Sequence, residues 1–312
     1  MCSHQKIVLL CIKKKSKTIE QTALERVPAF GILVDKLTKS FSINGKSKST
    51  LTNYVRCLSH LSLYYKCSPE LLAAERINDY LFHCQNLHKT PSESFFKHTI
   101  YGLRAAYKVL GMDKKRIQLP EIKRQKDLPI VLNKQEVREL LNAPKYLKHR
   151  LILAMLYGCG LRSYELCNLL QSDLDFERKT VFVRKQKGKV DRYVPLSDHI
   201  IRGLKKYYST EKPVKYVFNS QVTKEGIVQP ITTGGIGWVL KESRSKVPTK
   251  KKFTSHTLRH SYATHLLEDG MNIMCLKELL GHAHIETTIV YLQVCNSGTS
   301  VKFSPLDTLF KK

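Results

Sequence analysis

The sequence Ser255-His-Thr-Leu-Arg-His-Ser-Tyr-Ala-Thr-His-Leu-Leu-Glu-Asp-Gly270 decides the fold of the region around it. It predicts a helix in which His256, Arg259 and His260 occupy positions i, i+3 and i+4, so that they share one face. Ser255 is the expected N-cap of this helix, and Gly270 is the expected stop signal. The helix therefore presents a cationic side.

A second short helix is predicted immediately downstream, between a capping Asn272 and a terminating Gly281. Its apolar positions recur with helical spacing: Ile273, Leu276, Leu279 and Leu280. His282 then lies at a helix end, and Tyr291 follows nine residues later. A cationic helix, a terminal histidine and one tyrosine are the groups expected of a phosphate site with a hydroxyl nucleophile beside it.

The composition of the 312 residues indicates a polyanionic partner. The net charge is +27, from 53 Lys and Arg against 26 Asp and Glu. Residues 1–127 hold 23 basic and 10 acidic groups, and residues 128–312 hold 30 and 16. The length predicts two domains, and their similar charge suits a protein that holds nucleic acid between them. A generic basic protein, such as a ribosome-associated one, would show the same excess.

The nine cysteines predict reduced, buried thiols in a cytosolic protein. Their number is odd and no CxxC occurs, which argues against a disulfide framework or a metal cluster. We find no Cys/His pair at zinc spacing, no acidic cluster for Mg²⁺ and no GxxxxGK[ST] loop. The apolar run over residues 7–12 is too short for a membrane span. The sequence thus predicts a cytoplasmic protein without a metal or nucleotide cofactor.

The N-terminal half predicts an all-helical bundle. Residues 1–46 are the hardest to interpret, with one helix over Thr18–Ser40 that is broken near Pro28 or Gly31. Residues 47–119 are predicted to form a small all-helical domain whose apolar stripes have helical spacing: Leu51, Tyr54, Val55, Leu58, Leu61 and Tyr65, then Ile77, Tyr80, Leu81 and Cys84, then Phe96, Ile100, Leu103, Tyr107 and Leu110. Three basic residues lie outside the last apolar stripe: Lys97, Arg104 and Lys108. They either contact the phosphates of a DNA backbone or form a solvent-exposed face.

The C-terminal half predicts helices with a small β-hairpin. A basic linker at 120–129 is bracketed by prolines, and Asn133 with Glu136 resembles a capping box. An apolar helix runs into Gly158-Cys-Gly-Leu-Arg162, after which Ser163 is the expected cap of the next helix. The hairpin strands are Thr180–Val183 and Tyr193–Leu196, with Lys187 at the tip. Ser197 is expected to cap a helix through Tyr208, and residues 210–253 are mixed.

Five motifs in this half resemble the tyrosine recombinase (phage integrase) family, in its order and at its spacing. They are Arg162-x-x-Glu165, the basic hairpin that ends Asp191-Arg-Tyr-Val-Pro-Leu196, His256-x-x-Arg259-His260, Leu280-Gly-His282 and Tyr291. The resemblance covers roughly residues 128–297. It implies an α+β catalytic domain at 130–297, mainly helical with a small β-sheet, and a core-binding (SAM-like) helical domain at 47–119, which together form a C-shaped clamp on DNA.

The resemblance also implies catalytic roles. Arg162 and Arg259 would clamp the nonbridging oxygens of a phosphodiester, which their fork geometry suits. Tyr291 would be the nucleophile, and His256 would take its proton. His282 would donate a hydrogen bond to the phosphate, and Lys187 would be the general acid for the leaving 5′-oxygen. The carboxylate of Glu165 would orient the basic residues of the site. His260 is expected to be structural.

The chemistry implied is cleavage and rejoining of DNA through a 3′-phosphotyrosyl intermediate without ATP or metal. The partners implied are double-stranded DNA and further copies of the chain, two on a site and four in a synapse. The tail at 298–312 would dock either on its own domain or on a neighbouring protomer. Two rival functions share the fold: a type IB-like DNA topoisomerase, and a DNA-binding accessory or regulator without catalysis.

Overall fold

The computed structural model describes residues 17–86, 93–117, 128–184, 191–220 and 227–295. The chain divides into two compact units, Met1–Gln125 and Lys126–Lys312. Each unit has a hydrophobic core of its own. The fold is mainly helical with one small antiparallel sheet in the second unit, which confirms the predicted fold class.

The first unit is a bundle of helices: α1 (Ile19–Arg26), α2 (Pro28–Ile43), α3 (Lys48–Tyr65), α4 (Ala74–Asn86), α5 (Glu93–Val109) and α6 (Asp113–Ile117). The predicted break near Pro28 is confirmed, because Val27 separates α1 from α2 and Pro28 opens α2. Helices α3 and α5 pack closely at Gly102, where a Cβ atom would lie 3.3 Å from Cγ of Leu58. The predicted apolar stripes supply the core, including Leu58, Leu61, Ile77 and Leu103.

The second unit holds eight of the helices described: α7 (Lys134–Asn142), α8 (Leu147–Gly158), α9 (Ser163–Cys167), α10 (Asp198–Glu211), α11 (Thr233–Arg244), α12 (Ser255–Glu268), α13 (Ile273–Leu280) and α14 (Glu286–Ile289). The last runs into a 3₁₀ turn over Val290–Gln293. The predicted capping box of Asn133 with Glu136 and the cap at Ser197 are confirmed. Helix α11 lies within the stretch that the sequence left as mixed.

The sheet consists of β1 (Leu174–Asp175), β2 (Thr180–Val183) and β3 (Arg192–Pro195), in that order. The predicted hairpin is confirmed: β2 and β3 pair antiparallel, with Val181 opposite Val194 and Val183 opposite Arg192. Strand β3 begins one residue earlier than predicted. Val181, Val183 and Val194 point into the core, so this register fixes which face of the hairpin is buried.

Two predicted N-caps are wrong by one residue. Ser255 is the first residue of α12, and Thr254 is its cap, because Thr254 keeps an extended backbone and its N–H donates to Oγ1 of Thr257 at 3.1 Å. Likewise Ser163 is the first residue of α9, and Arg162 precedes it. The two serine hydroxyls instead hydrogen-bond each other at 2.5 Å, which ties the start of α9 to the start of α12.

The cysteines within the described ranges are unpaired, and Cys57, Cys84, Cys159 and Cys167 are buried as predicted. Cys275 is exposed, contrary to the prediction, because it lies on the outer side of α13. In the same part of the chain, no helix is both long and apolar enough to cross a membrane.

Candidate active site

A glycine turn delivers Arg162 to the site. Helix α8 ends at Gly158, and Gly160 adopts a positive φ of 58°, which disfavours residues with a Cβ atom. A Cβ atom at Gly160 would also lie 2.5 Å from the ring of Tyr262, so only glycine fits this close approach. The turn redirects the chain so that Arg162 immediately precedes α9.

Glu165 is the buried acceptor at the centre of the basic residues. Its carboxylate accepts a hydrogen bond from Nη1 of Arg162 at 2.7 Å and another from the Arg162 backbone N–H at 2.8 Å. It also accepts two hydrogen bonds from Arg192, at 3.0 and 2.8 Å. Burial alone would raise the pKa of Glu165, but the hydrogen bonds and charges of Arg192 and Arg162 outweigh burial and lower this pKa to about 2.

Arg259 is held on α12 by backbone carbonyl groups from two other elements. Nη1 donates to the carbonyl of Gly160 and Nη2 to that of Leu280, both at 2.5 Å. The guanidinium also lies 3.9 Å from the Glu165 carboxylate. Burial, with the positive charge of Arg162, lowers the pKa of Arg259 to about 9, which still leaves it charged at neutral pH.

His282 enters the site directly after α13. Gly281 ends that helix with a φ of 60°, as the sequence predicts, and the chain then turns inward. Nη2 of Arg259 donates to Nε2 of His282 at 3.2 Å. Since a guanidinium can only donate, the ring proton of a neutral His282 is on Nδ1, which lies 3.0 Å from Oγ1 of the buried Thr288. Thr288 therefore fixes the orientation and the tautomer of this imidazole.

Tyr291 lies in the 3₁₀ turn at the end of the described chain and is only 4% exposed. Its hydroxyl forms a hydrogen bond of 3.0 Å with Nδ1 of His260, and its ring stacks on that of His282 at an angle of 18°. Burial raises the pKa of Tyr291, while the charges of Arg259 and Arg162 act in the opposite direction. The hydroxyl is consequently protonated at neutral pH.

His260 is neutral at the same pH. Burial is the main cause, and the charges of His256 and Arg259 add to it, which lowers the pKa of His260 to about 4. His256 lies one turn earlier on α12 and is exposed. The sequence predicted a structural role for His260 and proton transfer for His256. In the structure, His260 forms the hydrogen bond with the tyrosine hydroxyl.

The structure therefore brings together five of the predicted site residues and His260, through a continuous series of contacts. The series runs from Arg162 through Glu165, Arg259, His282 and Tyr291 to His260. It places two guanidiniums beside one tyrosine hydroxyl, which can neutralise an anion next to a nucleophile. Lys187 lies outside the described residues. Within them, no cluster of His, Cys, Asp or Glu is arranged to hold a metal ion.

Sequence reasoning missed two residues of this network, Arg192 and Thr288. Arg192 stands inside the hairpin motif, but nothing in the local pattern shows that it pairs with Glu165, 27 positions away. Thr288 follows His282 by six residues, in a polar segment without a clear periodic signal. In both cases the partner comes from a different element, so only the tertiary fold reveals the contact.

The second unit brings two arginines together with a buried tyrosine, which is the arrangement of enzymes that transfer DNA strands through a tyrosine. Comparison with known proteins supports this class. Residues 130–297 match the phage integrase family. The tyrosine recombinase XerA of Thermococcus onnurineus is 32% identical over 270 residues, which cover 85% of this chain and 92% of that protein. A tyrosine recombinase of Thermosipho africanus is 37% identical over 218 residues, 67% of this chain and 74% of that protein. The chain belongs to the phage integrase family of tyrosine recombinases.

Solved structures show the same fold. The Tn1549 transposon integrase in complex with circular intermediate DNA matches with a TM-score of 0.64 at 20% identity, covering 83% of this chain and 94% of that one. The XerH recombinase bound to palindromic difH substrate matches with a TM-score of 0.60 at 19% identity, covering 80% and 77%.

Proposed function

We propose that this protein is a site-specific DNA recombinase that cleaves and rejoins DNA through Tyr291, without ATP or metal. The observation that carries the proposal is the buried Tyr291 hydroxyl beside Arg259, His260 and His282. In the cleavage step the tyrosine oxygen attacks phosphorus, the bond to the 5′-oxygen breaks, and the 3′-phosphate becomes linked to the protein. The new phosphodiester stores the energy of the old one, so a 5′-hydroxyl can reverse the step.

Arg162 and Arg259 would stabilise the charge that builds up on the nonbridging oxygens. Both guanidiniums are held by fixed acceptors, so they need little reorganisation when the phosphate arrives. His282 lies beside Arg259, so in its protonated form it would donate a further hydrogen bond from Nε2 to the same phosphate. Losing one preorganised donor of this kind costs about 10²–10³ in rate.

The tyrosine proton needs an acceptor. His260 is a poor one, because its pKa of about 4 lies roughly six units below the pKa of about 10 of an ordinary phenol. We therefore assign His260 to orient the hydroxyl and keep His256 as the proposed proton acceptor at the scissile phosphate. The leaving 5′-oxygen needs a proton in turn, for which the sequence resemblance supplies Lys187.

The DNA would contact both units. Residues 47–119 would serve as a core-binding domain, with basic side chains on α5 against the backbone. On that helix Arg104 lies 5.8 Å from the ring centroid of Tyr101, and Lys108 is exposed. The roles of Lys97, Arg104 and Lys108 as phosphate contacts follow from their charge and their common side of the helix.

Recombination further requires several protomers, two on each site and four when two sites pair. The tail at 298–312 would couple them by docking on a neighbouring protomer. Its apolar residues recur at short intervals after a stretch of small and polar residues: Phe303, Leu306, Leu309 and Phe310. A segment this short needs a surface to bury them.

Two assays test the proposal. A DNA substrate with a nick near the cleavage site traps a covalent protein–DNA adduct if the protein is an enzyme, and yields none if it only binds DNA. Two linear DNA sites, one of them labelled, then give recombinant products if the enzyme is a recombinase. Adducts and relaxation of supercoils without any exchanged product would indicate a topoisomerase instead.

A further inference from the structure

Arg192, the first residue of β3, is a buried arginine that the proposed chemistry does not use. Its side chain is 7% exposed and that of its partner Glu165 is 3% exposed. Nη1 and Nη2 donate to the two carboxylate oxygens, and Nε donates to the carbonyl of Leu279 at 2.7 Å. One guanidinium thus joins β3 to both α9 and the end of α13.

The end of α13 is shaped around this side chain. A Cβ atom at Gly281 would lie 3.1 Å from both Cδ and Nη1 of Arg192. Gly281 is therefore needed for its backbone conformation and also for the close approach of the arginine. Because Gly281 immediately precedes His282, Arg192 packs against the turn that brings His282 into the site.

The same guanidinium reaches Arg162 through Glu165. The carboxylate that accepts both hydrogen bonds from Arg192 also accepts Nη1 of Arg162 at 2.7 Å. We propose that Arg192 is a positioning residue that fixes the separation of Arg162 and His282 at the scissile phosphate. It would thereby control the cleavage rate rather than DNA affinity. This inference rests on the proposed recombinase chemistry.

The first test replaces the guanidinium but keeps its charge. Arg192→Lys retains a cation beside Glu165 but loses the planar fork and the bond to Leu279. We expect single-turnover cleavage of a nicked DNA substrate to fall about 10²-fold, the usual effect of misplacing reacting groups by about 1 Å. The dissociation constant for the same DNA should stay unchanged. Cleavage at the wild-type rate would overturn the proposal.

Arg184→Lys is the matched control. Arg184 follows β2 on the same hairpin and pairs with a buried carboxylate, that of Asp173, 2% exposed, which does not belong to the contact series of the site. This variant disturbs an ion pair of the same hairpin whose arginine is more exposed, at 56% against 7% for Arg192. We expect it to cleave at the wild-type rate, and a deficit equal to that of Arg192→Lys would overturn the proposal.

A second substrate separates positioning from a purely structural role. A methylphosphonate at the cleavage site is uncharged, so its reaction depends less on correctly placed guanidiniums. If Arg192 acts through Arg162, the deficit of Arg192→Lys should shrink to within about tenfold on this substrate, since the lost charge stabilisation no longer matters there. An equal deficit on both substrates would mean that Arg192 merely supports the fold, and would overturn the proposal.

A double variant protects the test against misfolding. Arg192→Gln combined with Glu165→Gln removes both members of the buried pair and leaves no uncompensated carboxylate. It should show the same substrate-dependent deficit, and wild-type rates on both substrates would overturn the proposal. Adduct formation by the wild-type protein is the reference throughout, so its absence would refute the proposed function and not this inference alone.

Discussion

Nδ1 of His260 lies 3.0 Å from the hydroxyl oxygen of Tyr291, and this contact joins the cationic helix to the proposed nucleophile. His260 and His256 are one helical turn apart, so both lie on the side of α12 that faces the site. The low pKa of His260 suits it to orient the hydroxyl and makes it a weak proton acceptor. The two histidines should therefore respond differently to substitution.

Replacing His260 should have a small effect and replacing His256 a large one. His260→Gln removes one hydrogen bond between neutral groups, worth about 1 kcal/mol, or roughly fivefold in cleavage rate. His256→Gln removes the proposed proton acceptor and should cost about 10²–10⁴. Single-turnover cleavage of a nicked DNA substrate measures both. If His260→Gln proved the slower enzyme, the roles of the two histidines would be reversed.

The buried ion pairs of Glu165 should make the folded protein less stable in acid. Its pKa is about 2 in the folded protein against an ordinary value of 4.5, so the ion pairs contribute fully above pH 4.5. As pH falls from 4.5 towards 2, the unfolded state binds the proton first and the free energy of unfolding decreases, by a total on the order of 3 kcal/mol.

Urea unfolding between pH 5 and pH 2.5 measures this contribution. The stability of Glu165→Gln should change less with pH than that of the wild-type protein. Glu242→Gln is the control, because Glu242 pairs with Lys246 at the surface, where such pairs contribute little. Parallel pH curves for Glu165→Gln and the wild-type protein would mean that the carboxylate is not held by its arginines.

Lys187 should affect the rate of DNA cleavage only when the leaving group is poor. Lys187→Ala should cleave ordinary DNA slowly and recover substantially with a 5′-bridging phosphorothiolate, whose sulfur leaves without needing a proton. Lys185→Ala and Lys189→Ala, two positions before and after it in the sequence, are the matched controls. Recovery of one of those variants instead would assign the general acid to that lysine.

The tail prediction concerns cooperation between protomers. Removing residues 303–312 should leave binding to a single half-site intact, because the proposed DNA contacts lie elsewhere. Cooperative binding to a full site should weaken, and the number of protomers that cleave together should change. Gel-shift titration and adduct counting on full sites measure both. Unchanged cooperativity and cleavage would show that the tail docks on its own domain.

The sequence predicts the local structure well and the tertiary contacts of the site less completely. The stripe on α3, the hairpin strands and the cap at Asn272 follow from periodicity and capping chemistry, which operate over a few residues. Helix α11 was missed because Gly234 and Gly235 at its start resemble a turn.

The pairing of Arg192 with Glu165 was missed because it joins residues 27 positions apart. Ser255 was assigned as a cap for the correct chemical reason, but its hydroxyl bonds Ser163 instead. Both contacts form where separate elements pack together. Their partners are too far apart in the sequence for a local pattern to predict them.

The most direct test of the account is to locate the bond between protein and DNA. The adduct trapped on a nicked substrate is digested with protease and nuclease, and the linked peptide is sequenced by mass spectrometry. We predict a single linkage between the Tyr291 oxygen and a 3′-phosphate, and no adduct from Tyr291→Phe although that variant still binds the DNA. Linkage through another residue or to a 5′-phosphate, or an undiminished adduct from Tyr291→Phe, would contradict the assignment of Tyr291 as the nucleophile.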